Sequence, residues 1–148
     1  MKPWSKPTIV CLLGVSVFAL AGCEGDGRPG RVPVSGRVLI DGMPLEQGNI
    51  RIHPQNHRAA SAKLGPDGKF TLSTYELGDG SVVGKHPVSV IAAKEINRRT
   101  RRWYAPKKYA SAATSELTLE VTEPTESAEV HLTWDGGKPF DERIEGGD

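Results

Sequence analysis

Apolar and polar residues alternate along most of this chain, and this period of two is the feature that most constrains its fold. In the first such segment, Val34 and Val38 are predicted to face the core, while Arg31, Ser35 and Arg37 face solvent. No segment of ten or more residues has the 3.6-residue period of a helix, so the sequence predicts an all-β fold. The alternation appears in six places: Val32 to Ile40, Ile50 to Ile52, Phe70 to Leu72, Val88 to Val90, Leu117 to Val121 and Val130 to Trp134.

Turn signals between these segments indicate which kind of β fold to expect. Asp41-Gly42, Asp67-Gly68 and Asp79-Gly80 each combine a glycine that tolerates positive φ with an aspartate that can accept bonds from its own turn. The segment Ala59 to Leu64 alternates more weakly and is predicted to be an edge strand. Short strands at such regular intervals are typical of sandwiches. We therefore predict a seven-stranded antiparallel β-sandwich.

The first two dozen residues have a different character and are typical of an export signal. Lys2 and Lys6 precede Thr8 to Leu20, an apolar run shorter than the roughly 20 residues that a membrane-spanning helix needs. The sequence Leu20-Ala21-Gly22-Cys23 follows at once and resembles the bacterial lipobox. That resemblance implies cleavage before Cys23, a diacylglyceryl thioether on its sulfur, and an acyl chain such as palmitate on the new amino group. The alternative is an ordinary secretory signal in which Cys23 occurs by chance.

Cleavage at this position would divide the chain into four parts. We predict a signal peptide over residues 1–22, a flexible tether over 23–31, a β-sandwich over 32–134 and a loose acidic tail over 135–148. The mature chain would have 126 residues with 17 basic and 18 acidic side chains, and no thiol would remain because the sequence has only 2 cysteines. An exported domain without disulfides depends on its apolar core for stability, which is feasible at this length. Two or three acyl chains would hold it stably to a bilayer.

The nearly neutral total charge conceals two oppositely charged segments. Between Lys94 and Lys108 there are seven basic residues and one acid, whereas Glu116 to Asp148 contains ten acids and two basic residues. The arginines of the basic segment can form forked bonds and its aromatic rings can stack, which suits an anionic lipid or polymer of the cell envelope, or a protein partner. Because the chain is predicted to be exported, we expect no nucleic-acid partner. The alternative is a solvated loop whose arginines pair with the acidic C-terminal third. The candidate partner-binding loop consists of Arg98, Arg99, Arg101, Arg102, Trp103 and Tyr104.

Several motifs in the predicted sandwich are similar to those of the carboxypeptidase regulatory-like domain, and to small bacterial lipoproteins that carry it. The resemblance covers about Val32 to Trp134 and implies a transthyretin-like, Ig-like β-sandwich. In that family the domain is generally a non-catalytic accessory or binding module, so the resemblance implies fold more than activity. The motifs are Val34-Ser35-Gly36-Arg37-Val38, Asp41-Gly42-Met43-Pro44-Leu45, Gly65-Pro66-Asp67-Gly68-Lys69-Phe70-Thr71-Leu72, Gly78-Asp79-Gly80 and Gly84-Lys85-His86-Pro87-Val88-Ser89-Val90, followed by Lys108-Tyr109 and Leu117 to Val121.

Residues capable of catalysis or metal binding are few in this sequence. His53 and His57 have a ligand-like spacing, but Pro54 and the loop context favour solvated side chains. His86 and His131 are predicted to be surface residues, and Ser35 has no evident partner base. We expect no catalytic residue, no metal and no cofactor. The sequence thus predicts a lipid-anchored, non-enzymatic binding or structural module of the cell membrane or outer membrane, facing the periplasm or exterior; the alternative is an envelope hydrolase acting on a small molecule or glycan.

Overall fold

Strands dominate the structure, a computed structural model that describes residues 27–145. Helical structure in this range is limited to a 3-10 turn (Lys107–Ala110) and a single-turn α1 (Ala112–Ser115). The all-β prediction is confirmed, with more strands than the seven expected. The strands are β1 (Arg31–Val32), β2 (Val34–Ile40), β3 (Met43–Pro44), β4 (Asn49–Ile52), β5 (Ala60–Lys63), β6 (Lys69–Thr71), β7 (Ser81–Val82), β8 (Gly84–Ile91), β9 (Ala93–Asn97), β10 (Thr100–Trp103), β11 (Leu117–Val121), β12 (Thr125–Leu132) and β13 (Phe140–Arg143).

The strands pair in four groups. One sheet has the order β11-β8-β4-β5, with β5 at the edge as predicted, and a second has the order β12-β2-β3 with β6 also paired to β2. Smaller sheets are β13-β10-β9 and β1-β7. Every pair is antiparallel except β2 and β12, which run parallel. No short turn joins β2 to β12, so their relative direction is not imposed by a hairpin, and the purely antiparallel expectation does not hold there.

The core is built from the alternating residues that the sequence singles out. Each of the two larger sheets contributes one apolar face, and burying one such side chain stabilises the fold by about 1.5–3 kcal/mol. Residues between them on the same strands, such as Arg51, remain exposed. The buried residues on predicted strand faces include Val34, Val38, Ile50, Ile52, Phe70, Leu72, Val88, Val90, Leu119, Val121, Val130 and Leu132.

Gly36 lets the two parallel strands approach closely. A Cβ atom at this position would lie 1.9 Å from the backbone oxygen of Ala128 on β12. Any larger residue would push β2 and β12 apart, because the atom it meets belongs to the backbone. At the far end of β2, Asp41 (φ 48°) and Gly42 (φ 80°) both take positive φ and turn the chain into β3.

Both ends of the described chain differ from the prediction. Residues 1–26, which include the signal, Cys23 and most of the tether, lie outside the described residues. Arg31 belongs to β1, its side chain is only 15% exposed, and it forms an ion pair with Asp79. The segment predicted to be a loose tail forms β13, since its carboxylates meet the basic side chains of β10 and the segment that follows it. Across residues 27–145, no helix has the length and apolar character needed to cross a bilayer.

Candidate functional site

The predicted partner-binding loop is a β-hairpin formed by β9 and β10. At its tip, the Asn97 side-chain oxygen accepts a 2.9 Å hydrogen bond from the backbone N–H of Arg99, and the register shifts between Thr100 and Arg101. Strand β13 pairs with the other edge of β10, so the hairpin becomes a three-stranded sheet. Arg101 and Arg102 therefore sit on a regular strand, whereas Arg98 and Arg99 form the turn at the tip. We call residues 93–103 the basic hairpin.

Carboxylates of the C-terminal segment neutralise the base of the basic hairpin. Arg102 donates two hydrogen bonds to Asp141, at 2.6 and 2.8 Å, and these bonds lower the pKa of Asp141 and raise that of Arg102. Hydrogen bonds from Lys107 and then from Trp103 lower the pKa of Glu142. The alternative in which arginines pair with the acidic C-terminal third thus holds for Arg102. Arg101 pairs with Glu95, and Lys108 pairs with Asp135.

Trp103 is buried rather than presented to a partner. Trp103 is only 6% exposed, and its ring stacks on that of Phe140 with centroids 6.5 Å apart and an interplanar angle of 15°. The indole Nε1–H donates a 2.7 Å hydrogen bond to Glu142. Tyr104 is half-buried and packs against the core. Sequence reasoning missed Phe140 and Glu142; the only signal was the charge complementarity between the two segments.

Two of the predicted residues remain available at the hairpin tip. Arg98 and Arg99 are exposed, and neither has a carboxylate within ion-pair distance among residues 27–145. Ile96 beside them is 49% exposed. The surface on which an anionic partner would bind is therefore smaller than the sequence predicts.

The histidines are dispersed, and one of them contacts a serine. His53 Nε2 lies 2.8 Å from Ser89 Oγ, and burial, followed by the charge of Arg51, lowers the pKa of His53. His131 is exposed, as predicted. The surface prediction is wrong for His86, which is buried because it faces inward on β8 and bonds the Val82 carbonyl at 2.9 Å. Within residues 27–145, no group of three or more potential metal ligands is present.

A cluster of arginines around Tyr75 was missed at the level of sequence. The guanidinium carbons of Arg28, Arg31 and Arg58 lie 4.7, 4.8 and 5.3 Å from the centre of this one ring. The three residues come from β1, the segment before it and the loop before β5. The sequence did not reveal this cluster because its members lie far apart along the chain. The neighbouring Asp79-Gly80 turn was recognisable from the sequence.

An open groove of about 470 Å³ runs over β2 between β6 and β12. Charges of both signs border it, Arg37 and Lys69 on one side and Glu126 and Glu129 on the other.

Comparisons of the chain with protein families, with characterised proteins and with solved structures found no match. The resemblance to carboxypeptidase regulatory-like domains therefore stays a prediction, and function must be argued from the residues themselves.

Proposed function

We propose that this chain is an exported lipoprotein, anchored to the cell membrane or outer membrane through Cys23, whose β-domain is a non-catalytic binding or structural module of the envelope. One observation carries the proposal: a lipobox-like sequence stands only eight residues before the first strand, which begins at Arg31. The intervening residues are polar and rich in glycine, as in a tether. Lipid attached at Cys23 would therefore hold a folded domain close to the bilayer.

The finer architecture that we propose is a transthyretin-like sandwich of the two larger sheets. Its support is the buried apolar faces that both sheets contribute to one core, Ile50 and Val88 from one, Val38 and Val130 from the other. This core contains no cysteine, in keeping with an exported domain that needs no disulfide. The groove over β2 and the tip of the basic hairpin are two exposed surfaces at which a ligand could bind.

Acyl attachment provides the test, with the two cysteines as a matched pair. Cells expressing the full chain are grown with an alkyne-bearing palmitate analogue, and the protein is isolated and examined for label and intact mass. We expect label and a mass that corresponds to cleavage before Cys23 in the native chain and in Cys11→Ser, and neither in Cys23→Ser. Label that persists in Cys23→Ser, or an unmodified native chain, would contradict the anchor.

A hydrolase is the second candidate, favoured by the contact between His53 and Ser89. Burial, followed by the charge of Arg51, lowers the pKa of His53 and so favours the neutral imidazole that a general base requires. Against this, Ser89 is only 4% exposed, and no carboxylate hydrogen-bonds His53 among the described residues. Ester hydrolysis by the purified protein that disappears in Ser89→Ala but not in Ser35→Ala would favour the enzyme; equal rates would exclude this pair as its site.

A further inference from the structure

The end of the fold nearest the proposed anchor carries an unusual surface, which we call the Tyr75 face: Arg28, Arg31, Arg58, Tyr75 and Leu77. The three guanidinium groups surround the Tyr75 ring within 5.3 Å. Two residues farther along the same loop, Leu77 is 99% exposed. A fully exposed leucine beside a group of arginines is the combination by which proteins enter the interface of an anionic bilayer.

The loop that presents Leu77 is held by hydrogen bonds. Asp79 accepts bonds from the backbone N–H groups of Thr74, Tyr75 and Glu76 at 2.6, 3.0 and 3.1 Å. The Ser73 hydroxyl accepts another, at 2.9 Å, from the N–H of Gly78. Leu77 thus projects from a fixed turn, so its exposure is a feature of the fold.

Positive charge exceeds negative charge around Leu77. Within the Tyr75 face, Arg31 pairs with Asp79 at 2.9 Å and Arg28 with Glu76 at 3.2 Å. The excess comes from Arg58 and from two cations outside the Tyr75 face, Lys63 and Lys69, none of which has a carboxylate within 4.0 Å in the part of the chain that is described. Lys69 also borders the groove over β2, with Glu126 and Glu129 on the other side. Lys63 and Lys69 line one shallow depression together with Leu77. These cations are available to bind phosphate groups.

A lipid on Cys23 would hold the Tyr75 face close to the membrane, because the connecting chain is short. Five residue steps separate Cys23 from Arg28, and a fully extended chain of that length spans about 17 Å. Arg28 is itself fixed to Tyr75 and Glu76, so the tether cannot lengthen beyond this point without breaking those contacts. Strand β2 starts at this end and runs for seven residues, about 23 Å, to the opposite end.

The basic hairpin joins the fold at that opposite end. Its partner strand begins at Phe140, whose ring contacts Trp134, and the backbone N–H of Trp134 donates to the Asp41 carboxylate just beyond β2. A domain tethered through residue 28 therefore points the hairpin away from its own bilayer and the Tyr75 face toward it.

We propose that the Tyr75 face rests on anionic phospholipid, with Leu77 inserted between the headgroups and Arg58, Lys63 and Lys69 bound to their phosphates. The inference depends on the lipid anchor proposed above, which supplies the proximity. Binding in this way would orient the domain. The groove over β2 would run away from the membrane surface, and the tip of the basic hairpin would lie on the side of the domain farthest from the bilayer.

Single introduced thiols test this orientation, since the processed lipoprotein has no other. Leu77→Cys is compared with Met43→Cys, a matched exposed apolar residue (70%) at the opposite end of β2. Each lipidated protein is labelled with an environment-sensitive fluorophore and reconstituted in vesicles of phosphatidylglycerol and phosphatidylethanolamine that contain a brominated lipid. We expect at least threefold stronger quenching of the label at position 77 than of the label at position 43.

The outcomes separate the two proposals. Equal quenching at both positions, in protein whose mass shows lipid on Cys23, would overturn the orientation and leave the anchor intact. Absence of lipid from Cys23 in both variants would overturn the proposed function itself. Shielding of position 77 that requires added envelope proteins would show that a protein covers this face, and would also overturn the inference.

The charge requirement has its own control. In the Leu77→Cys background, replacing Arg58, Lys63 and Lys69 by Ser should reduce quenching at least twofold in anionic vesicles, and more at low salt. Replacing Arg98 and Arg99 by Ser in the same background should leave quenching unchanged. An equal loss in both variants would mean that general positive charge, rather than the Tyr75 face, attracts the membrane.

Discussion

The most exact expectation concerns Asp79, which fixes the loop that presents Tyr75 and Leu77. Its side chain is 14% exposed and combines three backbone hydrogen bonds with the ion pair to Arg31. Asp79→Ala would leave those amides without their acceptor and the nearly buried guanidinium of Arg31 without its carboxylate. Loop order and the Tyr75 cluster should be lost together.

The expected cost is about 3 kcal/mol of unfolding free energy at pH 7. A hydrogen bond to a charged group contributes about 1.5–3 kcal/mol, and loss of the partner of a fully buried charge costs about 3–5 kcal/mol. These contributions are not additive within one loop, and the freed amides regain water, which keeps the total near the lower values. Such a loss is a large share of a typical domain stability of about 5–15 kcal/mol.

The same contacts predict a pH dependence. Burial raises the pKa of Asp79, but the bonds from Thr74, Tyr75 and Glu76, together with Arg31, outweigh it, so the pKa lies below its ordinary value of 3.8. A carboxyl group with a depressed folded pKa contributes stability that is present above its unfolded pKa and is lost as pH falls through the folded value. The difference in unfolding free energy between the native protein and Asp79→Ala should therefore stay constant from pH 7 to about pH 5 and shrink as the pH falls through and below 3.8.

Urea unfolding, followed by the fluorescence of Trp103 and Trp134, measures this difference. Asp67→Ala is the matched control, because Asp67 occupies another Asp-Gly turn but its exposed side chain makes no hydrogen bond with any residue between 27 and 145. We expect the control to change stability by less than about 0.5 kcal/mol. If the two variants unfold at the same urea concentration at pH 7, the account of the Asp79 loop is wrong.

Further expectations concern the parallel strand pair and the hairpin. Gly36→Ala should lower the unfolding free energy by about 2–3 kcal/mol, because the new Cβ would meet the Ala128 backbone. Gly30→Ala is the control, since a Cβ there has nothing within 4 Å and stability should not change. Equal urea midpoints for the two variants would contradict this. Arg102→Gln should speed amide exchange across β13, while Arg98→Gln at the hairpin tip should not; identical exchange in the two variants would show that the ion pair does not hold β13 in place.

The features that could be predicted from the sequence are those set by residues close together along the chain. Val38 and Ile52 face the core as predicted, because alternation of side chains follows from the covalent geometry of a strand. Asp41-Gly42 turns the chain as predicted, because positive φ is a local property. His86 and Trp103 were assigned to the surface and are buried, because strand alternation alone could not show which neighbours would cover them.

The candidate sites followed the same division. The predicted basic segment exists, yet its availability was decided by Asp141 and Glu142, which lie about 40 residues away along the chain. The Tyr75 face could not be predicted at all, since Arg31 and Arg58 meet only after β1 and the loop before β5 have taken their places. The periodicity of a sequence carries no information about contacts between residues that are distant along the chain.

By itself, the sequence determined that this chain forms strands, where it turns, and which residue stands in a lipobox-like position. Tertiary structure alone decided that β2 and β12 run parallel, that β13 neutralises Arg102, and that three arginines surround Tyr75. The reason is physical: strand and turn preferences are set by each residue and its immediate neighbours, whereas pairing, burial and charge compensation depend on groups that only the folded chain brings within contact distance.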